Sequence, residues 1–274
     1  MHNFLRNTAE KILKESESLR EVVVVLPNRR AGLFFTQHMG TLIDQPTWMP
    51  EVKTIEDVFY GFAGKRPADD LTLIFELYRV YGDLHPEPES FDRFFFWGEM
   101  ILKDFNDVDQ FMADPDKLYH HLAEIKELES DLSFLTENQI ELIRQFWNSF
   151  ISQDKKHQEK FLKFWQVLKP LYRAFQASLE VSGLAYSGKL YRQVAMGLSE
   201  IQKPDKKYIF LGFNAFTKTE ELLIKHFIKE FGAEIHWDVD AYYTLDGNQE
   251  AGLFFREYRK DTILGPTFPK ELPD

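Results

Sequence analysis

The spacing of apolar positions changes twice along the chain. Residues 4–18 place Phe4, Ala9, Ile12 and Leu13 near helical spacing and predict an amphipathic helix. Glu21-Val-Val-Val-Val-Leu-Pro27 follows. An unbroken β-branched run closed by Pro is the pattern of a strand buried on both faces, as in a parallel sheet. Asn28-Arg-Arg-Ala-Gly-Leu-Phe-Phe35 leads into a helix to about Met39; Pro50–Ile55 predicts a short second strand, Glu56–Phe62 a further helix, and Gly61–Pro67 a loop. From about 70 to 200 the period is helical. Leu71, Ile74, Leu77, Tyr78 and Tyr81 form one stripe, and Phe94, Trp97, Ile101 and Phe105 another. Phe161, Trp165, Leu168, Tyr172, Phe175 and Leu179 form a third, in which Pro170 predicts a kink or a break. Asp114-Pro115 is an N-cap with Pro at the first helical position, and Thr136 with Gln139 makes a capping box.

Strands then return at Lys207–Phe213 and Ala233–Val239. Between them a capping box, Thr217 with Glu220, starts the helix Glu221–Phe231, and Gly232 sits where a C-cap glycine belongs. A strand–helix–strand unit favours a parallel sheet. The expected architecture is therefore one α/β domain built from both ends of the chain, 1–68 and 203–274, interrupted by an all-helical insertion over 69–202.

Composition narrows the function classes. Of the 274 residues 44% are apolar and 26 are Phe, enough to bury a sizeable core and exclude wholesale disorder. Cysteine is absent, which removes disulfides, thiolate zinc sites and Cys nucleophiles. The N-terminus alternates apolar and charged residues unlike a secretory signal, and the longest aliphatic run, Val22–Leu26, is far short of the roughly 20 residues a bilayer requires. A soluble, cytoplasmic protein without a membrane partner is expected. The net charge of −11 is concentrated: residues 85–142 hold 4 basic and 15 acidic side chains, whereas 143–192 hold 9 basic and 3 acidic. The acidic average disfavours nucleic-acid binding by the whole surface but leaves room for a local basic face, for which Lys155, Lys156, Lys160 and Lys163 are the candidates.

Most catalytic patterns are absent or broken. A phosphate loop needs backbone N–H groups, a Lys and a Mg-binding hydroxyl converging on the phosphates. The nearest match, Gly61-Phe-Ala-Gly64-Lys65, is two residues short between its glycines and has Arg66 where Ser or Thr belongs, so it reads as a loop. Pro115-Asp116 with Glu124-Ile-Lys126 superficially resembles a PD-(D/E)xK nuclease signature, yet the whole run reads as one capped helix. Asp104, Asp107 and Asp109 lack the Gly and closing Glu of a calcium loop. Asp238 and Asp240 could share a cation at a strand end but form only a pair, so no metal or cofactor is assigned. Adjacent His120 and His121 diverge on a helix, and no G-x-S-x-G is present. Asn28-Arg29-Arg30 directly follows the buried strand, at the carboxyl edge where open α/β sheets bind ligands, and could hold a phosphate.

Two stretches go beyond pattern. Val22-Val-Val-Val-Leu-Pro-Asn-Arg-Arg-Ala-Gly-Leu-Phe-Phe35, with Thr54-Ile-Glu-Asp-Val-Phe59, resembles the second conserved strand and following segment of AddB-type helicase–nuclease subunits. Tyr208-Ile-Phe-Leu-Gly-Phe-Asn-Ala-Phe-Thr-Lys-Thr-Glu220 resembles their DGF-x-x-FT-x-x-E segment, at the Walker B position of a superfamily-I helicase core. Phe96-Trp-Gly-Glu-Met100 and Asp104-Phe-Asn-Asp-Val-Asp109 are similar to N-terminal regions of long Bacteroidetes proteins of the PD-(D/E)xK nuclease family. The resemblance covers essentially the whole chain. It implies a P-loop-NTPase-like, helicase 1A-like sheet with a 1B-like helical insertion. It also implies DNA and an AddA-like helicase subunit as partners, with the nuclease domain lying C-terminal in a longer chain. On the same grounds Asn28, Arg29, Arg30 and Thr54 are expected phosphate or DNA contacts. The Walker B position should present an Asp and commonly a Glu. Leu211 and Gly212 stand there instead, so a module without ATPase or other catalysis is expected. The other expectation is a protein-interaction scaffold, without direct DNA binding, whose acidic 85–142 segment faces a partner subunit.

Overall fold

Five consecutive aliphatic residues, Val22–Leu26, form strand β1, and all five are buried. The computed structural model describes the backbone of residues 4–85, 88–123 and 155–273, and the side chains of these outside 120–166. The other strands are β2 (Glu51–Thr54), β3 (Lys207–Leu211) and β4 (Glu234–His236). The sheet order is β2-β1-β3-β4, with every neighbouring pair parallel. β1 is thus hydrogen-bonded on both sides: Val24 lies opposite Val52 in β2 and Ile209 in β3.

The helices among the described residues, in chain order, are α1 (Phe4–Glu15), α2 (Arg29–Leu42), α3 (Ile55–Ala63), α4 (Asp70–Leu84), α5 (Phe91–Gln110), α6 (Pro115–Ala123), α7 (Lys155–Ser182), α8 (Ser187–Met196), α9 (Lys218–Phe231), α10 (Ala241–Leu245) and α11 (Leu253–Tyr258). The protein is α/β and divides into two compact units, Met1–Arg66 with Lys189–Asp274, and Pro67–Gly188.

In the first unit both faces of the sheet are covered. Because successive side chains of a strand point to opposite faces, β1 feeds two cores. Val22, Val24 and Leu26 pack with Ala9 and Ile12 of α1 and Phe35 and Met39 of α2. Val23 and Val25 pack with Phe59 of α3, Tyr191 of α8, and Leu223 and Phe227 of α9. Each fully buried Val contributes on the order of 2 kcal/mol over an exposed one. The Tyr191 ring stacks on Phe59 with centroids 3.8 Å apart. Capping follows the sequence signals: the Thr54 and Thr217 capping boxes start α3 and α9, and Gly232, at φ 71°, ends α9.

The described part of the second unit is helical, with a core of Leu73, Ile74 and Leu77 from α4, Phe94, Ile101 and Phe105 from α5, and Leu168, Leu171 and Phe175 from α7. Two expectations are corrected here, and a third, the kink or break at Pro170, loses the break. The buried stripe of α4 is Leu73, Ile74, Leu77 and Val80, and Leu71 is 52% exposed. Asp69 caps this helix through Thr72 N, 2.9 Å from Oδ1, so Leu71 falls in the first turn on the outer side. Trp97 is partly exposed, while its stripe-mates Phe94, Ile101 and Phe105 are buried. Pro170 does not end its helix: α7 runs through it. Leu168 on one side and Leu171 and Tyr172 on the other are held in the core, and packing outweighs the lost backbone bond. Asp114 caps α6 as expected, accepting from Asp116 N and Lys117 N. The Thr136–Gln139 capping box and Glu124-Ile-Lys126 lie outside the described residues.

The helical core also contains a carboxylate. Asp109 is 1% exposed and accepts from the Tyr172 hydroxyl at 2.6 Å, from Gln176 Nε2 at 3.1 Å and from the Tyr186 hydroxyl. These donors satisfy a group that would otherwise be costly to bury. One turn earlier, burial pushes the Asp104 carboxyl up to about 7, with Asp107 adding to the effect and Lys103 opposing it. An unfolded chain titrates this group near 3.8, so the folded protein holds the proton more tightly and loses stability as pH rises from about 4 to 7. Replacing Asp104 with Asn is expected to be near neutral at pH 4 and stabilising at pH 8, by at most about 4 kcal/mol. Urea unfolding at the two pH values measures this, and equal effects at both would contradict it.

Candidate functional site

A parallel sheet delivers all its strand ends to one edge. The carboxyl edge here carries Asn28, Arg29 and Arg30 after β1, Thr54 after β2, Gly212–Phe216 after β3, and Asp238 and Asp240 after β4. The winding of the chain distinguishes one place on that edge. From β1 the chain crosses through α2 to β2, and from β3 it crosses through α9 to β4, in the opposite direction along the sheet. α2 packs on the Val24 face and α9 on the Val25 face, as same-handed crossovers running opposite ways require. The strand order therefore reverses between β1 and β3. In open α/β sheets such a reversal leaves a crevice outside the carboxyl ends, and ligands bind there.

One wall is the start of α2. Asn28 adopts an extended backbone and its Oδ1 accepts from Ala31 N at 2.9 Å, which caps the helix. The Arg29 and Arg30 amides precede the first intrahelical bonds and point along the helix axis with its positive end. Both arginine side chains are exposed and form no salt bridge among the described residues. Arg30 lies over the Phe34 ring, 5.8 Å from its centroid, which restrains it one turn along α2.

The neighbouring helix start, α3, is arranged differently. Thr54 is 7% exposed, and its hydroxyl donates to Asp57 Oδ2 at 2.8 Å and accepts from Asp57 N at 3.2 Å. Its side chain is committed to the cap. Burial works against the Asp57 charge. Hydrogen bonds from Thr54, with the Arg66 and Arg29 guanidinium groups nearby, still hold its carboxyl below the ordinary value. Arg66 approaches Asp57 Oδ1 at 3.4 Å.

The other wall is the exit from β3. Leu211 is fully buried among the apolar residues of the α1–α2 face. Gly212 turns the chain at φ 67° while its N–H donates to the His236 carbonyl at 3.1 Å; a Cβ there would sit 3.4 Å from the Phe4 ring in a conformation L-residues avoid. Phe213 and Phe216 return to the core, and Phe216 N donates to the Tyr258 hydroxyl at 2.9 Å. Asn214 and Ala215 are left exposed at this edge of the sheet. Their exposure was not legible in the alternation of the strand, because a left-handed glycine resets which residues point outward.

At β4 the two carboxylates separate by role. Asp240 caps α10, accepting from Tyr243 N at 2.8 Å, and Asp238 is exposed. Among the described residues no group of three or more His, Asp and Glu could hold a metal ion. Of the basic face expected at 143–192, the side chains of Lys155, Lys156, Lys160 and Lys163 lie outside the described residues. Further along α7, Lys169 and Arg173 pair with Asp116 of α6, at 3.3 Å and 2.6 Å. No helix among the described residues is long and apolar enough to cross a membrane. No family model matches the chain, and no curated protein matches it in sequence.

The arrangement offers amide and guanidinium donors and, at the end of β3, no carboxylate. It is suited to holding an anion. Leu211→Asp, which puts an acid at that strand end, is expected to lower stability by about 4 kcal/mol, because the carboxylate would lie in a dry apolar layer without a donor. Urea unfolding and an ATP-hydrolysis assay test it; a stable variant that turns over ATP would overturn the account of this strand end.

Proposed function

We propose that the chain is a non-catalytic, helicase-like module of a DNA double-strand-break repair helicase–nuclease subunit. In this proposal the sheet unit serves as a P-loop-NTPase-like, 1A-like core and the helical unit as a 1B-like insertion, with an AddA-like helicase subunit as partner. One observation carries it. The two segments that resemble AddB-type subunits, 22–35 and 208–220, lie almost two hundred residues apart in the sequence, yet they form adjacent strands β1 and β3 and flank the strand-order reversal. The site they frame has the charge and donors for a phosphate backbone: the α2 amides, Arg29 and Arg30. It lacks the cradle and the acid that phosphoryl transfer requires. DNA is held and positioned here, and the motor work belongs to the partner.

The test is a salt titration of duplex DNA binding by the chain and by Arg29→Ala/Arg30→Ala. Affinity falls steeply with salt for the parent protein. Losing two phosphate contacts lowers the slope of log K against log salt by about 2. A slope and affinity unchanged by the double substitution would remove Arg29 and Arg30 from the interface. Absence of any DNA binding, together with capture of an AddA-like helicase, would favour a protein-interaction scaffold instead.

A further inference from the structure

The Gly61-Phe-Ala-Gly64-Lys65-Arg66 stretch is too short for a phosphate loop, yet its last residue returns to the sheet edge. Gly64 closes α3 in the left-handed region, at φ 68°, and its N–H donates to the Gly61 carbonyl at 3.4 Å. Pro67 biases the Arg66 backbone toward an extended conformation. The Arg66 guanidinium reaches the first turn of α3, where Nη2 lies 3.4 Å from Asp57 Oδ1. It therefore stands at the carboxyl end of β2, next to the end of β1 that carries Arg29 and Arg30. Neighbouring strands run about 5 Å apart.

The Arg66–Asp57 pair does little for the fold. The contact is long and the Arg66 side chain is 71% exposed, so solvent screens it. Asp57 is held by closer partners: its Oδ2 accepts from Thr54 N at 3.2 Å and from Thr54 Oγ1 at 2.8 Å. Burial opposes the Asp57 charge, the Thr54 bonds favour it, and the Arg66 and Arg29 guanidinium groups both add to the stabilisation. One carboxylate thus lies within the field of arginines from two strand ends. Among the described residues Asp57 is the only partner of Arg66, and a guanidinium has five N–H donors. Residues 28–30, 54–57 and 64–66, which meet at these strand ends, hold four basic side chains and two acidic ones, Glu56 and Asp57. Glu56 acts on Glu220 of α9, adding to the burial that raises that carboxyl. Helix α2 has no acid in its 14 residues. We infer that Arg66 is a further phosphate contact, and that the bound DNA backbone runs from Arg29 and Arg30 at the end of β1 to Arg66 at the end of β2. The planar fork of an arginine suits a phosphate, which it can hold through two parallel bonds. The inference rests on the DNA reading above and adds to it a residue and a direction along the sheet edge.

Anisotropy of a labelled duplex, titrated with the full chain over a range of salt, reads this directly. Arg66→Ala lowers the slope of log K against log salt by about 1 and weakens binding uniformly across DNA sequences. Removing Arg66 also uncovers the Asp57 charge, which by itself repels a phosphate. The Asp57→Asn background separates the two effects, and Asn keeps an oxygen to accept from Thr54. In that background Arg66→Ala again lowers the slope by about 1. Lys203→Ala removes the same charge from an exposed lysine in the segment leading into the amino end of β3, and leaves the slope unchanged. Circular dichroism melts confirm that each variant is folded. A slope untouched by Arg66→Ala, while Arg29→Ala/Arg30→Ala still lowers it, overturns this inference and leaves the DNA reading standing. An effect of Arg66→Ala that disappears in the Asp57→Asn background, or that Lys203→Ala reproduces, overturns it equally. Absence of DNA binding by the parent chain removes the DNA reading and this inference together.

Discussion

The sheet unit depends on β1 being buried on both faces and hydrogen-bonded on both edges. Val22–Leu26 pairs with β2 on one side and β3 on the other, and its alternate side chains supply both cores. A polar residue anywhere in it would enter an apolar layer, which is why the run shows no alternation. The same constraint fixes where the chain emerges. A strand held on four sides has one exit at its carboxyl end, and Pro27 and Asn28 turn that exit into the start of α2.

Crossovers of one hand running in opposite directions from β1 and β3 put α2 and α9 on opposite faces, and the strand order reverses between them. The chemistry at this edge is local: an Asn cap that leaves the Arg29 and Arg30 amides facing outward, two exposed guanidinium groups, and a glycine turn after β3. The helical unit differs: aromatic side chains, Phe75 and Phe96 among them, lie exposed on α4 and α5.

The places where the pattern misled have a common cause. Helical spacing identified α4 but not its rotation, because Leu71, Leu73 and Ile74 are all apolar and only the Asp69 cap and the packing of α5 decide which side is inside. Pro170 weakens a helix in isolation, yet the buried residues on either side keep α7 continuous. The Asp109 network gave no sequence signal. Its partners Tyr172, Gln176 and Tyr186 come from more than sixty residues away, and a buried acid looks like an exposed one until its donors are in place.

By itself the sequence determined what is local: the buried central strand, the capping boxes at Thr54 and Thr217, the glycine end of α9, the parallel strand–helix–strand unit, and the missing phosphate loop and strand-end acid. These depend on residues a few positions apart, whose conformational preferences act before the chain folds. Tertiary structure decided the rest. It set β1 against β3 so that Arg29 and Gly212 flank the strand-order reversal, assigned Thr54 to a buried cap, surrounded Asp109 with donors, and turned Phe96 outward. Those outcomes depend on contacts between distant segments, and such contacts exist only once the hydrophobic cores have closed.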